Sequence, residues 1–90
     1  MKDSIRSSEY KPVFAKLVEM RSKAGMTQRD LAKALKREHS FVWRIETGRR
    51  RLDVVEFYWV CSALGRNAAV IYRDLIQEIT GLEKTKRHKR

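Results

Sequence analysis

An all-α domain of five helices is what this chain predicts, on three observations. Apolar residues recur at spacings of three and four from Val13 to Ile79, so each segment presents one face for burial. Start and stop signals divide that stretch, with Gly25, Gly48 and Gly65 each standing just past the end of a segment. No internal repeat and no strand-like alternation of useful length interrupts the pattern. Ninety residues make one small domain, near the lower end of what a single core supports, and the lone Cys61 cannot staple the chain to itself.

Residues 1–7 are polar and unpatterned, and they are expected to form a flexible N-terminal segment. The first helix should start between Ser8 and Pro12, with Ser8 as a candidate N-cap and Pro12 in the first turn, where its missing N–H costs little. Val13, Leu17 and Met20 form its apolar face, with Phe14 and Val18 beside them, and Gly25 ends it. The second helix has the clearest start signal: Thr27 as N-cap, Asp30 at N3, and Met26 and Leu31 placed as a hydrophobic staple. It should end at Leu35 or Lys36, with Leu31, Ala32 and Leu35 facing inward.

A short link from Lys36 to Glu38 leads to a third helix, His39 to Thr47, with Val42 and Ile45 as core anchors and Gly48 just beyond. At about nine residues it would not be stable alone in water. The fourth helix begins at Asp53, carries Val54, Phe57, Val60, Cys61 and Leu64 on one stripe, and stops at Gly65. Cys61 on that stripe reads as a small buried hydrophobe. The fifth helix runs from about Asn67 to Thr80, with Ala68, Tyr72, Leu75, Ile76 and Ile79 on one face and Val70 and Ile71 beyond it. So small a monomer has little to bury so wide a face against. Either that face caps the core, or, the favoured expectation, the chain is a homodimer joined through helices four and five, at Tyr58, Trp59, Val70, Ile71 and Leu75. Residues 8–81 are thus the domain, and 82–90 are expected to be a basic, flexible tail.

Lys and Arg number 21 against 11 Asp and Glu, a formal charge of +10, which points to a polyanionic partner. The tail, with Lys84, Lys86, Arg87, Lys89 and Arg90 against Glu83, carries +4 of this and leaves +6 on the domain. The basicity is therefore not confined to the tail. No secretory h-region and no stretch of roughly 18 apolar residues occurs, so a soluble, cytoplasmic protein without membrane partners is expected. Two histidines, one cysteine and four scattered glycines assemble no metal set, phosphate loop or nucleophile triad. That argues against an enzyme, and no cofactor is implied.

The arrangement selects nucleic acid among polyanions. Helices two and three are separated by about four residues, enough only for a sharp turn, which is the layout of a helix-turn-helix. On helix three, His39, Ser40, Trp43 and Arg44 share the face opposite Val42 and Ile45. A helix that reads the major groove needs donors and acceptors there, and a guanidinium that can grip guanine O6 and N7. Phosphate anchoring falls to Thr27 and Gln28 at the N-terminus of helix two, and to Thr47, Arg49, Arg50 and Arg51 after helix three.

These residues carry a resemblance. Arg21, the run Gly25-Met26-Thr27-Gln28 followed by Leu31-Ala32, the anchors Val42 and Ile45, Glu46-x-Gly48 and the closing Ala63-Leu64-Gly65 resemble the phage-repressor and Cro-like helix-turn-helix regulators. This is also called the xenobiotic response element (XRE) family, and the match covers somewhat more than half the chain. The resemblance implies a lambda-repressor-like DNA-binding domain, bacterial or phage-encoded, in which Gln28 clamps a phosphate. It also implies that Arg21 and Glu46 form a structural ion pair. Lys36 departs from the pattern where such proteins usually have glycine, and Trp43 is bulky where small polar residues are common. Two other roles fit the same length: an antitoxin that binds a toxin and represses its own promoter, and a controller protein of a restriction-modification system.

Overall fold

The computed structural model describes residues 8–88, with side chains through residue 82. The segment 1–7, expected to be flexible, lies outside the described residues, as do 89 and 90. Five helices follow in order: α1 Lys11–Lys23, α2 Gln28–Ala34, α3 His39–Glu46, α4 Val54–Ala63 and α5 Ala68–His88. Among the described residues there is no strand. α3 packs on α1 and α2, α4 packs on α2, and α5 packs on α1 and α4. Leu17, Met20, Leu31, Ala32, Phe41, Val42, Ile45, Val60, Cys61, Leu64, Ile71 and Leu75 meet in one buried core.

Local sequence sets most boundaries. Thr27 Oγ1 accepts from the Asp30 N–H while the Asp30 carboxylate accepts from the Thr27 N–H, both at 3.0 Å, a complete capping box. Asp53 and Glu56 repeat the device at the start of α4. Met26 and Leu31 share the core cluster, as a staple requires. α1 starts differently from expectation: Tyr10 is its N-cap, without a side-chain cap, and Ser8 offers only its carbonyl to the Lys11 N–H. Pro12 is indeed within the first turn. α2 stops one residue early, with Leu35 as C-cap.

The four helix ends at Ala24, Leu35, Thr47 and Leu64 share one geometry, in which the N–H two residues past the cap reaches back to the carbonyl three residues before it. That turn needs a left-handed residue. Gly25, Gly48 and Gly65 supply three of them, and Lys36 supplies the fourth at φ 57°. Gly48 has a second reason to be glycine, because a Cβ there would come within 2.9 Å of the Phe14 ring.

Three expectations are corrected. Val54, placed on the buried stripe of α4, is 79% exposed, and the core begins a turn later at Phe57. On α5 the inward stripe is Ala68, Ile71 and Leu75, whereas Tyr72 and Ile76 point outward. The true face is rotated from the expected one because Ile71 and Leu75, four apart, meet α1 and α4. Finally, α5 does not end near Thr80 but continues through His88. Leu82, Glu83, Lys84, Lys86 and Arg87 all favour helix, which outweighs the roughly 1 kcal/mol penalty of Gly81.

Candidate nucleic-acid interface

α3 is eight residues long, and its two faces are sharply divided. Phe41, Val42 and Ile45 are buried, while His39, Ser40, Trp43 and Arg44 all lie on the exposed side. Phe41 was not anticipated as a core residue; it takes a third inward position beside the two expected anchors.

Two buried carboxylates fix this helix in place. Glu46, at its last turn, accepts from Arg21 Nε at 2.6 Å and Nη2 at 3.0 Å, and from the Gln28 amide at 2.9 Å. Arg21 adds a bond from Nη1 to the Met26 carbonyl at 2.9 Å. One carboxylate therefore ties the end of α3 to α1 and to the start of α2. The ion pair between Arg21 and Glu46 has the bidentate form expected of a structural bridge.

Glu56 is the second anchor, and the sequence reading missed it. Its oxygens accept from Arg50 Nη1 and Nη2, both at 2.8 Å, from the Asp53 N–H at 3.1 Å, and from Arg37 Nη1 at 3.5 Å. The Arg50 pair, the Asp53 N–H and Arg37 together outweigh burial and hold its carboxyl down at about 2. The same two guanidiniums lie over the buried Phe41 ring, Arg37 at 4.0 Å and Arg50 at 4.9 Å from its centroid. The only available signal was the Asp53-x-x-Glu56 capping-box spacing.

The candidate contact residues divide accordingly. Arg44 folds back along α3, with Nε 3.4 Å from the Ser40 carbonyl and Nη2 3.3 Å from its hydroxyl. Both residues stay exposed. Thr27 uses its oxygen as an acceptor in the capping box. Gln28 is half-buried and donates to Glu46, so it is a bridge within the protein as well as a residue at the α2 N-terminus. Thr47 donates its hydroxyl to the Trp43 carbonyl at 2.8 Å and does not offer that proton to a phosphate in this conformation. Among the three consecutive arginines, Arg50 donates both arms of its fork to Glu56. Arg51 is exposed, and Arg49 lies over the Trp43 ring at 4.7 Å.

The residues expected at a dimer interface also separate. Tyr58, Trp59 and Val70 are 58%, 50% and 42% exposed. Ile71 and Leu75, at 1% and 3%, are sealed inside the chain's own core and present no surface to a partner. Cys61 is buried too, and desolvation raises its thiol pKa, as fits a packing role.

A short helix with a polar outer face, held behind a tight turn by two buried carboxylates, defines a helix-turn-helix module. The family model described as a helix-turn-helix domain matches residues 15–72. Among solved structures, an XRE-family like protein from Pseudomonas syringae pv. tomato is 34% identical, with 90% of this chain and 94% of that chain covered and a TM-score of 0.72. The clp gene regulator ClgR from Corynebacterium glutamicum shares the fold at 24% identity and a TM-score of 0.68, over 84% of this chain and 81% of that one. No curated protein sequence matches. The chain belongs to the helix-turn-helix domain family, of the XRE type.

Proposed function

We propose that the protein is a sequence-specific transcriptional regulator, not an enzyme, that binds double-stranded DNA as a homodimer with α3 in the major groove. The carrying observation is the division of α3: three apolar residues buried, two carboxylates anchoring it, and His39, Ser40, Trp43 and Arg44 left outward. In this reading Arg44 and Ser40 supply donors and acceptors for base edges, and Thr27, Gln28 and Arg51 take the flanking phosphates. The formal charge of +10 supplies the attraction to a polyanion.

Tyr58 and Trp59, both large and exposed on α4, support an interface with a second copy. In a two-fold dimer the recognition helices enter successive major grooves about 34 Å apart, so the operator is an inverted repeat with half-sites about one turn apart. A toxin partner is the second reading, since the same two aromatics could anchor it. Selection of bound sites from random duplexes tests the proposal. Enrichment of an inverted repeat with that spacing is expected, and recovery of unrelated sequences would refute it.

A further inference from the structure

We propose that Trp43 and Arg49 form one reading unit, in which the indole holds the Arg49 guanidinium towards the base edges, making Arg49 a specificity residue and not a phosphate anchor. This rests on the DNA-binding reading above. Arg49 Cζ lies 4.7 Å from the centroid of the Trp43 ring. Trp43 itself is 42% exposed, on the same outward face as Arg44. Stacking on an aromatic face costs a guanidinium none of its N–H donors, because they point outward in the plane of the fork. The ring instead removes torsional freedom that would otherwise be lost on binding DNA.

Arg44 is held in a parallel way, against Ser40 one turn earlier. Two guanidiniums are thus each restrained by a neighbour on α3. The two forks rest on different residues of α3, Ser40 and Trp43, and the proposal gives each its own guanine in the half-site. Arg50, by contrast, is clamped on Glu56, which explains how adjacent arginines acquire different tasks.

The test is the base-preference profile of the wild type and of Arg49→Ala, Arg49→Lys, Trp43→Ala, Trp43→Phe and the double alanine variant, each shown to be folded by circular dichroism. Arg49→Ala and Trp43→Ala should lose discrimination at the same base pair of each half-site, by roughly 5- to 150-fold. Trp43→Phe should keep it because a ring remains, Arg49→Lys should not, and the double variant should lose no more than the worse single one. A uniform loss on all duplexes with Arg49→Ala, together with a shallower salt dependence, would overturn the proposal and make Arg49 a phosphate contact. Losses at different base pairs, or additive losses, would also overturn it. A wild-type protein without any base preference would overturn the DNA-reading proposal itself, and that outcome is visible before any variant is made.

Discussion

At the scale of single residues, strain and buried charge dominate. Lys36 is the one non-glycine residue with a left-handed backbone among those described, at the turn between α2 and α3. Replacing it with glycine removes the clash of its Cβ but frees the unfolded chain, leaving a net gain of about 0.5–1 kcal/mol. The melting temperature of Lys36→Gly should therefore rise by a few degrees, and a fall would show that the turn is unstrained. Glu46 is nearly buried with Arg21 as its partner, so Glu46→Ala leaves that guanidinium unpaired at a cost of roughly 3 kcal/mol or more. Thermal melting should register this first, and an unchanged melting temperature would contradict the bridge. Glu56 makes a pH-dependent contribution. Its carboxyl lies at about 2 when folded, against an ordinary 4.5, so the charged form stabilises the fold above pH 4.5 and that support disappears as pH falls through about 2. Glu56→Gln should be less stable than the wild type at pH 7, by on the order of 2–3 kcal/mol, with the gap closing near pH 2. A gap that persists unchanged in urea titrations at both pH values would show that the ion is not responsible.

At the scale of elements, α3 is too short to stand alone and is a helix because its neighbours hold it. Arg50 belongs to that support. Arg50→Ala should lower the melting temperature, while the folded fraction keeps its salt dependence of DNA binding; an unchanged melting temperature with weaker binding would restore Arg50 to the phosphate backbone. What was legible in the sequence follows the range of the forces involved. The capping box at Thr27, the helix ends at Gly25, Gly48 and Gly65, and the stripes of α1 and α2 are set within one or two turns, so local pattern specifies them. Glu56 pairs with Arg37, nineteen positions away, and no local spacing announces that. Phe41 borders the outward face of α3 in sequence, yet it joins the apolar core, and Arg37 and Arg50 lie over its ring. The wide apolar arc of α5 permits several inward stripes, and the choice of Ile71 and Leu75 is made by α1 and α4. Three adjacent arginines look equivalent in sequence, and only the fold separates them, with Arg50 on Glu56 and Phe41 and Arg49 over Trp43.

At the scale of the whole molecule, a formal +10 charge gives attraction to any duplex, and the proposal assigns selectivity to the outer face of α3. With Ile71 and Leu75 in the core, the proposed dimer would have to form through the exposed Tyr58, Trp59 and Val70. Light scattering should give twice the chain mass, and Trp59→Asp should shift it toward the monomer; a monomeric wild type at all concentrations would exclude the two-fold arrangement. The central claim is that α3 reads bases, and it is tested most directly by the affinity of Arg44→Ala for the selected operator and for a random duplex of equal length. Arg44→Ala should lose roughly 5- to 150-fold on the operator and little on the random duplex. Equal losses on both would mean that Arg44 only neutralises phosphate and that α3 does not read sequence through it.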